Sequence, residues 1–164
     1  ISEGAVAFRK ATLKQSGLYC EDFFISHEGV DLAYRIMNSG SRVVYDSSVQ
    51  VVHEHAESGR PSWRRYYYDT RNAIWLAVRN MPILPALKYL FIALGSMAIY
   101  SIRDGFFVTY LKAIKDGLVG IKTMYAHRSP WTKRTRDLCL EIDSHRQPLL
   151  MVIRKRLFRR GVSI

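Results

Sequence analysis

The sequence contains little cysteine, and this excludes two classes of small protein. Cys20 and Cys139 are its only cysteines; they lie far apart, without the spacing of a zinc site, and cannot build a disulfide framework. A reducing compartment is therefore the default expectation. Repeats and low-complexity tracts are also absent, and 48% hydrophobic residues suffice for a core. The 164 residues can form one domain, or half a domain with an appendage.

Acidic residues are also scarce, since 14 Asp and Glu oppose 25 Lys and Arg, for a net charge of +11. Residues 126–164 form a basic tail in which the stretch 154–160 mixes cations with apolar side chains. That mixture is typical of contact with an anionic membrane surface. Nucleic acid is the competing anionic partner, but the sequence has no nucleic-acid-binding motif, so we expect lipid. A solvated tail without a partner is the remaining alternative.

No uncharged run reaches the roughly 20 residues that cross a bilayer. Residues 89–102 carry no charge but are too few for a span. Residues 106–121 alternate apolar residues and lysines at helical spacing, which indicates an amphipathic helix with a basic face. We therefore predict that residues 81–125 are a membrane-associating helical segment. The alternative is a helical pair that simply packs on the preceding domain.

Two carboxylates, Glu28 and Asp31, lie at the predicted start of an amphipathic helix. The apolar face expected of this helix comprises Val30, Ala33, Tyr34 and Met37. Backbone N–H groups at a helix start favour a carboxylate, and one that faces a cleft can act as a general base. The alternative is a capping acid followed by a solvated aspartate.

Other short segments occur around this helix in a characteristic order. They are an apolar stretch at 4–8 before a basic turn, Gly-Leu-Tyr-Cys-Glu-Asp-Phe-Phe at 17–24, Gly-Ser-Arg-Val-Val-Tyr at 40–45, and Val-Gln-Val-Val-His at 49–53. In this order and spacing, the set resembles the second half of the catalytic domain of family 2 glycosyltransferases, particularly bacterial rhamnosyltransferase-like enzymes. The resemblance implies an α/β fold: a partial GT-A (nucleotide-diphospho-sugar transferase) fold over residues 1–80, followed by a C-terminal helical extension.

The resemblance also implies catalytic roles for the two acids. In the family the acidic segment usually reads Glu-Asp-x-Asp-Leu and includes the base that deprotonates the acceptor hydroxyl. Here Gly29 replaces the second acid. Either Glu28 takes the role of base in a variant subfamily, with Asp31 in support, or the site is impaired. We favour the first, because the rest of the segment is intact.

Two histidines are candidates for metal binding. His53 and His55 follow a predicted apolar strand, where alternate residues point to one face. A histidine pair beside acids can bind a divalent metal, and the resemblance favours His53 over His55. The alternative is that both are ordinary surface histidines.

The residues that follow predict a helix from Ser62, a good N-cap, to Asn80. Arg64, Tyr67 and Arg71 can share one side of it as substrate-binding residues, because guanidinium groups bind diphosphate and flat rings stack on sugars. The resemblance makes Arg71 the best diphosphate candidate. The alternative is a helix packed through its aromatic residues, with its arginines solvated.

No Asp-x-Asp metal motif occurs, and the chain opens on Ile1 rather than methionine. We therefore expect a fragment that lacks the donor-nucleotide half and is inactive alone. The whole enzyme would be an inverting glycosyltransferase that uses a nucleotide-diphospho-sugar donor and a divalent cation (Mg or Mn) held mainly by the missing half. Its acceptor would be a glycan or polyprenyl-linked hydroxyl at the cytoplasmic face of a bacterial cell membrane. The alternative is a non-catalytic, basic membrane-surface adaptor.

Overall fold

The structure, a computed structural model, describes residues 5–52, 63–145 and 151, and the regular structure in these residues is helical. The helices are α1 (Lys10–Ser16), α2 (Glu28–Asn38), α3 (Trp63–Asn80), α4 (Ile83–Arg103), α5 (Phe107–Val119), α6 (Ile121–Ala126) and α7 (Lys133–Ser144), with a 3-10 turn at Glu21–Phe23 before α2. The predicted helix that ends at Asn80 is confirmed as α3 from Trp63 onward, whereas Ser62, its predicted N-cap, lies outside the described residues. The segment from 81 to 125 is mainly helical, as expected.

The predicted α/β, GT-A-like fold is wrong for the described residues, because these contain no strand or sheet. The apolar segments at 42–45 and 49–52 have a strand-like pattern, but a strand needs a hydrogen-bonded neighbour, and the described part of the chain supplies none. Their side chains stay in solvent: Tyr45 is 91% and Val52 92% exposed.

Helix α3 forms the centre of the molecule and packs along α4 and α5. The core cluster comprises Phe23, Ile74, Trp75, Leu76, Ala77, Met81 and Met124. The Trp75 indole meets the Phe23 ring edge-on, with ring centroids 6.1 Å apart, and donates a hydrogen bond to the Gly117 carbonyl at 3.0 Å. A Cβ at Gly120 would lie 2.5–2.7 Å from atoms of the same indole. Glycine at this position therefore lets the end of α5 approach α3.

The turn between α4 and α5 is fastened to the start of α3. The Tyr66 hydroxyl donates a hydrogen bond to Asp104, and the Tyr66 ring stacks on Phe106 with centroids 4.9 Å apart. Burial and the neighbouring Asp104 carboxylate raise the pKa of Tyr66 to about 12. These contacts hold α3, α4 and α5 together at the end of the bundle remote from Asn80.

The outward face of α4 is mostly apolar, with Lys88 as an exposed charged residue on it. Its exposed apolar residues are Ile83, Leu84, Leu87, Phe91, Ile99 and Ile102, here called the α4 stripe. Among the described residues, α4 is the one helix long and apolar enough to cross a membrane by length and composition, and 6% of its apolar window is buried. Its 21 residues span about 30 Å. The core does not cover this face.

Candidate functional site

Glu28 lies at the mouth of α2 and borders an open depression. It is the first residue of the helix, half-buried, with its carboxylate Oε2 atom shielded from solvent. The depression has a volume of about 600 Å³ and is lined by Tyr19, Cys20, Glu21, Phe24 and Glu28. The predicted base therefore borders a concave site beside exposed aromatic rings.

The loop that leads into this mouth has an unusual backbone. Phe24, Ser26 and His27 have φ values of 61°, 71° and 72°, in the region that favours glycine. Each such residue costs of the order of 1–3 kcal/mol and persists only where surrounding contacts hold it. Strain of this kind concentrates at functional sites, so its position directly before Glu28 strengthens the case for a site here.

Asn72 of α3 holds this loop from beneath. The two N–H groups of its buried side-chain amide are shared among the carbonyls of Phe23 at 2.9 Å, Ile25 at 2.7 Å and Ser26 at 2.7 Å, so at least one N–H is bifurcated. These carbonyls lie in an irregular turn, where the side-chain amide supplements the backbone donors; the Phe23 carbonyl also accepts from the Ile25 amide at 2.7 Å. Asn72 was not predicted from the sequence. The signal available was an asparagine inside a helix rich in aromatic residues.

Arg71, the predicted diphosphate ligand, holds the same loop. Its Nη2 atom donates to the carbonyls of Asp22 and Phe23, each at 3.0 Å, and its guanidinium lies 4.0 Å from the centre of the Trp75 ring. Stacking on an indole and donation to carbonyls both stabilise a guanidinium in a partly buried position. Contact with a diphosphate stays a prediction for this residue.

The other two predicted substrate-binding residues lie elsewhere on α3. The Tyr67 hydroxyl donates to Asp116 of α5 at 2.7 Å, and burial together with this carboxylate raises the pKa of Tyr67. Arg64 lies 6.0 Å from the ring centre of Trp63. Neither residue, nor Arg71, is among the described residues that line the depression. The structure therefore does not bring the predicted set together with Glu28 in one cavity.

Asp31 is fully buried and points into the protein. Its carboxylate forms ion pairs with Arg35 Nη2 and Arg79 Nε, each at 2.8 Å, and accepts a hydrogen bond from the Asn80 amide at 2.8 Å. It thereby joins α2 to the end of α3. Asp31 can therefore support Glu28 only indirectly, by holding helix α2 in place.

The predicted metal ligands His53 and His55 lie outside the described residues. Within residues 5–52, 63–145 and 151, no group of three His, Cys, Asp or Glu side chains comes together that could hold a metal ion. The described residues thus do not fit a divalent cation site. The cation stays a prediction.

Comparison with known proteins found no relative: no family model, curated protein or solved structure matches this chain. The glycosyltransferase resemblance therefore depends on the motifs quoted above.

Proposed function

We propose that this chain is the acceptor-side part of an inverting glycosyltransferase that acts at a membrane surface. Glu28 takes the proton of the acceptor hydroxyl as the hydroxyl oxygen forms a bond to the anomeric carbon of the donor. The bond from that carbon to the diphosphate breaks, and the nucleoside diphosphate leaves with the electron pair. The observation that carries the proposal is the half-buried Glu28 carboxylate in a depression at a helix start.

The walls of the depression support a sugar as the ligand. Phe24 is 68% exposed and Tyr19 is 37% exposed, so both rings offer flat apolar surface beside the carboxylate. Apolar and aromatic walls with a few polar groups are typical of small-molecule sites. A sugar ring, with one apolar face and a rim of hydroxyls, matches this combination.

The donor would be a nucleotide-diphospho-sugar, and the proposal requires a donor-binding half in addition to the described residues. That half would also supply most ligands of the divalent cation. The residues described here would contribute the base, its supporting loop and the acceptor surface.

The α4 stripe and the exposed lysines of α4 and α5 support an anionic membrane surface as the second partner. Phe91 is 84% exposed, and Lys88 of α4 and Lys112 and Lys115 of α5 are also exposed. An exposed apolar face together with exposed cations is typical of a helix that lies in the interfacial layer of a bilayer. The cytoplasmic membrane face, and a polyprenyl-linked or growing glycan acceptor, are proposed from the glycosyltransferase resemblance.

Replacement of Glu28 by glutamine is the test of the catalytic proposal. In the protein that carries the donor half, we expect the transfer rate to fall by about 10²–10⁴-fold, because the amide cannot accept the acceptor proton. The measurement is nucleoside diphosphate release from a panel of nucleotide-diphospho-sugars, with a bacterial membrane extract as acceptor. Glu21→Gln is the matched control, since Glu21 lines the same depression, and its effect should stay below about 10-fold. Unchanged turnover in the Glu28 variant eliminates it as base.

Replacement of Phe91 by aspartate tests the membrane partner. In the proposed bound state the bilayer buries the Phe91 ring, and losing it removes about 1.5–3 kcal/mol of apolar transfer free energy. We therefore expect at least about a tenfold loss of binding to vesicles with anionic lipid. Co-sedimentation at low salt measures it. Leu140→Asp is the control, because Leu140 is an exposed apolar residue on α7, outside the α4 stripe. Absence of wild-type binding, or equal loss in both variants, contradicts the membrane proposal.

A non-catalytic membrane-surface adaptor is the second candidate function. Gly29, which stands where the glycosyltransferase family has its second acid, favours it, and the exposed α4 stripe is compatible with either function. The two candidates differ in the Glu28→Gln experiment: the adaptor requires vesicle binding with no dependence of any transfer reaction on Glu28.

A further inference from the structure

A chain of hydrogen bonds connects α4, the loop before α2, and α3. The Tyr89 hydroxyl of α4 lies 2.9 Å from His27 Nε2, and His27 Nδ1 lies 2.8 Å from the Ser26 hydroxyl oxygen. That hydroxyl donates to Asp69 Oδ1 of α3 at 2.6 Å. The four residues therefore form one continuous path with His27 at its centre, next to Glu28.

The direction of each hydrogen bond follows from the one before it. Ser26 has a single hydroxyl proton, which it gives to Asp69, so its oxygen accepts from His27 Nδ1–H. A neutral imidazole protonated at Nδ1 has an acceptor at Nε2, and the Tyr89 hydroxyl must donate to it. The path thus selects one tautomer of His27 and fixes both edges of its ring.

The surroundings of His27 favour the neutral ring. Burial lowers the pKa of His27, and the Asp69 carboxylate partly opposes this by raising it. The other titratable groups in contact are Tyr89 from α4 and the adjoining Glu28, while Arg65 lies 3.9 Å from the Asp69 carboxylate. Because burial is the larger cause, the ring keeps the acceptor that Tyr89 requires.

We propose that His27 is the positioning residue for Glu28. Its backbone is left-handed, with φ at 72°, and it is the residue from which α2 begins. Because the ring is tied at one edge to α4 and at the other to α3 through Ser26, the backbone cannot relax without breaking one of these hydrogen bonds. These hydrogen bonds of His27 set the direction of the first turn of α2, and they thereby set the position of the Glu28 carboxylate. The inference rests on Glu28 being the functional carboxylate of the proposed function.

Tyr89 also links His27 to the helix that carries the proposed membrane-binding face. Its side chain packs against the core cluster, whereas Leu87 and Phe91 on the same helix are exposed. Helix α4 therefore presents one side to His27 and the other to the proposed lipid surface. A bilayer that binds α4 therefore also restrains Tyr89, the residue that is hydrogen-bonded to His27.

Nuclear magnetic resonance on the full 164-residue chain tests the tie directly. At neutral pH, the ring ¹⁵N shifts of His27 are expected to report protonation at Nδ1, whereas the exposed His127 serves as the reference ring. Tyr89→Phe removes the donor that stabilises the neutral ring, so the pKa of His27 should rise toward its ordinary value. Protonation of His27 at Nε2, or an unchanged pKa in Tyr89→Phe, overturns the proposal.

The ¹³C signal of the Glu28 side-chain carboxyl then reports positioning. The signal moves when Glu28 itself is protonated. In the wild-type chain, we expect a second, separate movement below pH 6.5, caused by protonation of His27. His27→Gln should abolish that second movement and His127→Gln should keep it; if His27→Gln does not fold, the Tyr89→Phe variant should move it to higher pH. A Glu28 signal that ignores His27 protonation overturns the proposal. The result is independent of transfer activity and of vesicle binding, so failure of the proposed function is recognised separately.

Discussion

Replacement of Asp31 by asparagine is expected to lower the free energy of unfolding by about 3–5 kcal/mol. The carboxylate lies between the guanidinium groups of Arg35 and Arg79, and none of it is exposed to solvent. Asparagine has nearly the same shape but no charge, so both cations lose the partner that compensates for their burial. The expected cost comes from these uncompensated charges rather than from lost volume.

The damage is expected to reach the depression. Arg35 also donates hydrogen bonds to the carbonyls of Ser16 and Leu18, directly before Tyr19 in the wall. When Arg35 loses Asp31, it no longer holds this segment against α2. Hydrogen exchange of the amides at 17–20 should therefore quicken more than exchange in α5.

Urea unfolding followed by tryptophan fluorescence measures the stability loss. The matched control is Asp137→Asn, which removes the same charge from an ion pair with Arg136 whose N–O distance is 3.9 Å and whose side chains are 48% and 57% exposed. An exposed pair contributes about 0–1 kcal/mol, so the control should stay near the wild type. Similar losses in the two variants would falsify the claim that the buried network joins α2 to α3.

Replacement of Asn72 by alanine is expected to cost about 3 kcal/mol. The buried amide is the donor for three carbonyls of a loop that already holds residues at positive φ. Without it, those carbonyls are desolvated and lose this donor, and the strained backbone can relax. Asn72→Asp should be at least as damaging, because a carboxylate would face the carbonyls with another acceptor.

The control for this variant is Asn38→Ala. Asn38 also donates its amide to backbone carbonyls, those of Ser129 and Pro130 at 3.1 Å, but it is only half-buried, so water can replace the amide. We expect a loss of about 1 kcal/mol there. Unfolding in urea gives the stability, and faster exchange of the Ile25 amide, which bonds to the Phe23 carbonyl, gives the local opening. Equal losses would contradict the role of Asn72 as the holder of the loop.

Helices α2 to α5 could be predicted from local signals, whereas α1 and α7 were not predicted. The stop at Asn80 correctly marked the end of α3, because a following Met-Pro acts over a few residues. The apolar face of α2 was only partly right: Ala33 is buried, whereas Val30 and Tyr34 are half-buried and Leu32 is fully buried instead. The reason is Asp31, whose ion pairs turn a polar side of the helix inward.

The predicted strand at 49–52 was wrong for the opposite reason. Alternation of valines is a local pattern, but a strand also needs a partner, and pairing is a long-range condition. The described residues contain no such partner, so the exposed valines and Tyr45 remain outside regular structure.

The sequence by itself determined helices α2 to α5, the basic character and the carboxylate at the start of α2, because periodicity, helix stop signals and charge depend on neighbouring residues. Only the tertiary structure decided that Asp31 is a buried junction, that Arg71 and Asn72 hold a strained loop, and that His27 lies between Tyr89 and Asp69. These roles depend on contacts between residues more than 40 positions apart, and such contacts leave no trace in local spacing.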